Sequence, residues 1–138
     1  MSTIGIYAGV TYFSPLPGLP KHLAVIVYGP FVPNGYSTKH VICVNITTLK
    51  EHSMGDKTCV LKIGDHEFIH HDSIVNYQLA KCLPVDRCCI DFESGRFHQK
   101  QLMKPEILKV ICDGLMTSIH TPKKIKAFLA IDRGEAAV

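Results

Sequence analysis

The sequence has no tract of low complexity, no run of like charge and no apolar stretch near the roughly 18 to 20 residues of a membrane-spanning helix. The first two absences exclude a long disordered arm, and the third argues against a membrane anchor. The opening Met1-Ser2-Thr3-Ile4-Gly5-Ile6 has no basic region of the kind that precedes an export signal. A cytoplasmic protein is therefore expected. The six cysteines include no C-x-x-C pair, so no regular set of zinc ligands is present. In a reducing compartment they read as free thiols. Cys43 and Cys59 sit inside apolar strand patterns, where a free thiol acts as a small hydrophobe. The adjacent Cys88 and Cys89 are read as structural too. No metal and no cofactor are expected.

What is present is 138 residues, 46% hydrophobic and 20% charged, which suits a single domain spanning 1–138 with one real core. The formal charge of +3 decides little about partners. Eight histidines are more telling, because imidazole serves proton transfer and phosphate contact near neutral pH.

Val10 to Phe13 reads as a short strand, followed by a loop from Ser14 to Pro20 whose prolines exclude regular pairing. Leu23 to Tyr28 is a continuous apolar run of strand length, closed by Gly29-Pro30 and Pro33-Asn34-Gly35. His40 to Ile46 is a second β-branched run, and Thr58 to Ile63 alternates with period two before the Gly64-Asp65 turn. Glu67 to Ile69, Ser73 to Tyr77 and Ala80 to Leu83 add shorter segments. Strands at this spacing predict a barrel or sandwich. After Phe97 the period changes. Pro105 and Glu106 open a helix carrying Ile107, Leu108, Ile111 and Leu115 on one face, with Gly114 near its end. Thr121, as N-cap before Pro122, opens a second helix with Ile125, Phe128 and Leu129 inward.

Candidate sites are Lys21-His22, Asn45-Ile46-Thr47-Thr48, Gly64-Asp65-His66 with His70-His71, and Ser73 to Tyr77. Each also has an ordinary reading. Lys21 and His22 are then solvated residues at a strand start, and Thr47 and Thr48 cap a turn through their hydroxyls. His66 and His70 share one face of an extended segment while His71 points away, so a metal site there would need a further ligand that no spacing identifies.

Lys21-His22 opening the strand Leu23 to Val27, then Gly29-Pro30-Phe31, then Val41 to Thr48 with its Asn45-Ile46-Thr47-Thr48 corner, resembles the MazF/PemK/Kid toxins of bacterial toxin-antitoxin systems. Ser73-Ile74-Val75 and the helix start Lys104-Pro105-Glu106 extend the likeness over roughly residues 7 to 118. Lys21 stands where the family has Arg, and His22 and Asn45 stand where it has Pro. The resemblance implies a mainly β (α+β) fold, a small SH3-like β-barrel with one or two C-terminal helices. It also implies a metal-independent endoribonuclease that cuts single-stranded RNA by attack of the 2′-hydroxyl on the adjacent phosphorus.

Carried over, the family's cationic and hydroxyl roles fall on Lys21 and on Thr47 or Thr48. Because the departure at His22 introduces an imidazole, His22 with His66 or His70 is the expected proton-transferring pair. Tyr28, Phe31, Tyr36, Asn45, Asn76 and Tyr77 are the expected RNA contacts, although barrel cores use the same aromatics. Single-stranded RNA, a cognate antitoxin and a second copy of the chain are the expected partners. The alternative is a catalytically inactive barrel that grips a protein, in the manner of CcdB-like toxins, since fold does not fix function.

Overall fold

The structure is a computed structural model that describes residues 5–14, 22–49 and 55–134. Its strands are β1 (Thr11–Ser14), β2 (His22–Phe31), β3 (His40–Thr48), β4 (Val60–Leu61), β5 (Ser73–Pro84) and β6 (His98–Lys100). The helices are α1 (Val85–Glu93), α2 (Pro105–Thr117) and α3 (Lys123–Asp132). All strand neighbours are antiparallel in the order β4-β5-β3-β2-β1-β6, and the sheet curls into a half-barrel. The fold is therefore the expected mainly β, α+β one.

The unbroken apolar run of β2 has a simple cause: both faces of the sheet are covered. Leu23, Val25 and Val27 pack in a cluster with Ile111 and Leu115 of α2 and Ile125, Phe128 and Leu129 of α3. Ala24 and Ile26 face the other way, into a cluster with Tyr12, Val41, Cys43, Cys88, Phe92 and Phe97 under α1. In that second layer the Tyr12 ring stacks on Phe97 at 4.4 Å between centroids and meets Phe92 edge-on at 5.4 Å. All six cysteines are free thiols, and Cys43, Cys59 and Cys88 are buried among these apolar side chains.

Several elements differ from the expectation. The Thr58 to Ile63 segment pairs only over Val60–Leu61, and Glu67 to Ile69 belongs to a turn that closes with Ile69 N–H donating to His66 O at 3.0 Å. Thr121 is not an N-cap. Pro122 occupies that position, and the buried Thr121 Oγ1 has no partner among the described residues. Helix α1 is an addition, its inward residues Cys88, Asp91 and Phe92 spaced three and four apart. It ends at Glu93, and just past the Ser94 cap comes Gly95, whose φ of 79° admits glycine far more readily than other residues. The two segments expected at Ser73 to Tyr77 and Ala80 to Leu83 are one strand with a bulge, because Val44 alone spans from Tyr77 to Ala80 between the pairs Asn45↔Asn76 and Cys43↔Lys81.

Candidate functional site

Side chains alternate along a strand, so the face occupied by each candidate follows from register. His22 pairs with Ser14, Ala24 with both Tyr12 and Asn45, and Cys43 with Lys81. His22, Ser14, Tyr12, Asn45, Cys43 and Lys81 therefore share the α1 face. Together they line a cleft of about 200 Å³, which Leu79 and Leu83 of β5, Arg87 and Asp91 of α1, and Arg96 and Phe97 complete. Arg87 Nε lies 3.7 Å from Asp91 Oδ2, one helical turn along α1.

The charges do not balance. Lys81, Arg87 and Arg96 face a single carboxylate, Asp91, while Ser14, His22 and Asn45 add neutral polar groups. A cleft of this kind attracts an anion, and its partly apolar walls strengthen the attraction over that in bulk water. Its floor is inert toward proton transfer. Burial pushes the Tyr12 hydroxyl far above the ordinary tyrosine range, helped by the neighbouring Cys43. Burial likewise raises the Cys43 thiol from 9.0 to about 12. At neutral pH both stay protonated, leaving His22 as the imidazole of the cleft.

The structure brings together only part of the expected site. Lys21 lies outside the described residues. Asn76 pairs with Asn45 and shares its face. Thr47, two residues beyond Asn45, shares that face as well, whereas Thr48 is exposed and turned the other way.

His66 is on the opposite side of the sheet from His22. It is buried, and its Nε2 stands 3.1 Å from Thr11 Oγ1 and 2.7 Å from the Gln101 carbonyl. Thr11 pairs with Val25, whose side chain is in the α2/α3 cluster. The Phe68 N–H donates to His66 Nδ1 at 3.2 Å, so the ring proton sits on Nε2 and donates to Gln101 O. Both ring nitrogens are committed to holding the turn, and a His22–His66 pair is not formed. His70 is exposed and borders a different depression, with Gln101 and Lys104. His66→Ala is therefore expected to cost about 2 kcal/mol of stability in urea unfolding, while leaving ligand binding by the folded protein at the His22 cleft unchanged.

Of the aromatic candidates, Tyr77 is fully buried and donates its hydroxyl to Ile111 O at 2.7 Å, so it is a core residue and not an RNA contact. Phe31 is also buried. Tyr28 is half-buried and gives its hydroxyl to Asp132. Desolvation and that carboxylate raise it to about 12. Tyr36 alone of the four stands open, at 47% exposure.

Lys81, Arg87, Asp91 and Arg96 were not legible as a group, because their convergence depends on α1 and on the β5 bulge. The Arg87–Asp91 spacing and Gly95 were the available signals. Among the described residues no group of three or more His, Cys, Asp or Glu could hold a metal ion, and no helix is long and apolar enough to cross a membrane. No protein-family model matches the chain, and no curated protein matches it.

Proposed function

We propose that the chain is a cytoplasmic, metal-independent endoribonuclease of the toxin type, which holds the backbone of single-stranded RNA in the His22 cleft. The observation that carries this reading is one imidazole set beside three cations and a single carboxylate. Lys81, Arg87 and Arg96 neutralise the phosphoryl oxygens as charge builds on them. His22 accepts the 2′-hydroxyl proton as that oxygen bonds to phosphorus. The bond from phosphorus to the 5′-oxygen breaks, and a water molecule protonates the departing oxygen and takes in return the proton held by His22, which restores the base, since His22 is the only histidine lining the described cleft. The products are a 2′,3′-cyclic phosphate and a free 5′-hydroxyl. The same reading includes a homodimer restrained by a cognate antitoxin.

The test is cleavage of a mixed-sequence single-stranded RNA. His22→Gln is expected to lower the rate at neutral pH at least about a hundredfold. The unaltered protein should show one limb rising with pH, and EDTA should not change it. Lys81→Ala and Arg87→Ala should weaken RNA binding most at low salt. If no RNA is bound or cut, the reading fails. The exposed Leu79 at the cleft and Ile90 on α1 favour a second reading, a protein-gripping module. That reading wins if His22→Gln leaves cellular effects intact.

A further inference from the structure

On the opposite face from His22, where the loop after β2 meets α3, lies a second cavity of about 240 Å³. Tyr36, His40, Lys124 and Phe128 are among its walls. The Tyr36 ring is held by edge contacts, 4.7 Å from the His40 ring at 61° and 5.9 Å from that of Phe128 at 78°, and nearly half of the residue stays open to solvent. Lys124 Nζ lies 6.0 Å from the Tyr36 ring centre and 5.6 Å from that of Phe128. His40 is 95% buried, and its Nδ1 donates to Thr38 O at 2.9 Å. That bond places the proton on Nδ1. Nε2 of the neutral ring is therefore an acceptor, and it has no partner among the described residues although His40 lines the cavity.

A fixed, half-open aromatic ring, an unused acceptor on a residue of the wall and an ammonium beside the rings make three complementary demands. A flat π-system satisfies the first, an N–H donor on its edge the second and an anion the third. We propose that this cavity binds a nucleotide. The base stacks on Tyr36, an edge N–H or amine of the base donates to His40 Nε2, and the phosphate pairs with Lys124. The inference does not depend on the His22 cleft, which lies across the sheet. It adds a place where a base, and not only a backbone, is held.

Adenosine 5′-monophosphate is the probe, because its only donor on the base is the N6 amine. Titrations followed by the NMR signals of the His40 and Tyr36 rings should show saturable binding. Ribose 5-phosphate should bind at least about tenfold more weakly for lack of a stacking partner. The N6,N6-dimethyl analogue, stripped of its donor, should also bind several-fold more weakly. Tyr36→Ala and Lys124→Ala alter exposed side chains and leave the fold intact, and each should lower affinity at least fivefold. His22→Gln should leave nucleotide binding unchanged, so a failed cleavage experiment and a failed pocket are separable. A six-adenosine oligonucleotide that outcompetes the mononucleotide identifies RNA as the source of the base; equal binding identifies a free nucleotide. Equal shifts from ribose 5-phosphate and the mononucleotide, no shifts at millimolar ligand, or a Tyr36→Ala variant of unchanged affinity would overturn the proposal.

Discussion

Between pH 8 and pH 11 the protein is expected to lose most of its stability, as a fall in the urea midpoint that steepens above pH 9. The cause is the layer beneath α1. Burial raises the Cys43 thiol from 9.0 to about 12, and burial with the nearby Asp91 raises Cys88 to about 11. Burial and the adjoining Cys43 carry Tyr12 well above its ordinary 10.0. The unfolded chain releases these protons near their ordinary values, while the folded chain still holds them. In that window the unfolded state binds fewer protons, so rising pH favours unfolding. The stabilisation is complete below about pH 9 and disappears as the pH climbs toward the folded-state values. Each such group removes about 1.4 kcal/mol per pH unit. Three groups acting in turn remove on the order of 5 kcal/mol by pH 11, which is comparable to the whole stability of a small domain. Cys43→Val keeps the volume and removes the titration, so its midpoint should fall less steeply. A midpoint that stays level from pH 8 to 11 would refute the account.

Gly114→Ala should destabilise the protein by about 3 kcal/mol, against the usual gain of about 1 kcal/mol for alanine over glycine inside a helix. Gly114 is buried on the inner side of α2, where a Cβ would stand 2.1 Å from Tyr77 Oη and 2.7 Å from its Cζ. The tyrosine has nowhere to withdraw, being fully buried with its hydroxyl bonded to Ile111 O. Something must shift, and both the helix and β5 are anchored in one cluster. Adding Tyr77→Phe removes the nearest atom but leaves Cζ in place, so the double variant should recover about 1 kcal/mol of the loss. Thermal and urea unfolding of the four proteins measure this directly. Stabilisation by alanine alone would show that the close approach does not exist.

Gly114 also marks how far the sequence could be read. The sequence places it near a helix end, as it is in α2, which closes at Thr117, but not in contact with a strand residue more than thirty positions earlier. Local signals succeeded where structure is local. The apolar run of β2, the proline and glutamate opening α2 and the period of α3 all formed where pattern placed them. They failed for α1, whose VDRCCIDFE segment has a mean composition too polar to stand out, and for β6, only three residues long. At the site, His22 and Asn45 were readable because each ends or interrupts an apolar run. The cations across from them come from a bulge and an unrecognised helix, so nothing local tied them to His22. His66 was misread for a related reason. Adjacent polar residues in a turn look accessible, and the carbonyl that captures this ring belongs to Gln101, far along the chain.

The bulge in β5 has a consequence that concerns counting, not chemistry. Before it, Val75 and Tyr77 point toward α2 and α3; after it, Lys81 and Leu83 point toward the cleft. Odd-numbered residues change sides because the extra residues between Asn76 and Lys81 reverse the phase of the strand. Removing or adding one residue there would restore the original phase. Lys81 would turn toward the helical layer and Cys82 toward the cleft. The stretch from Tyr77 to Ala80 can vary in identity on its outward side, since Gln78 and Leu79 are exposed, but its length sets which charge reaches the cleft.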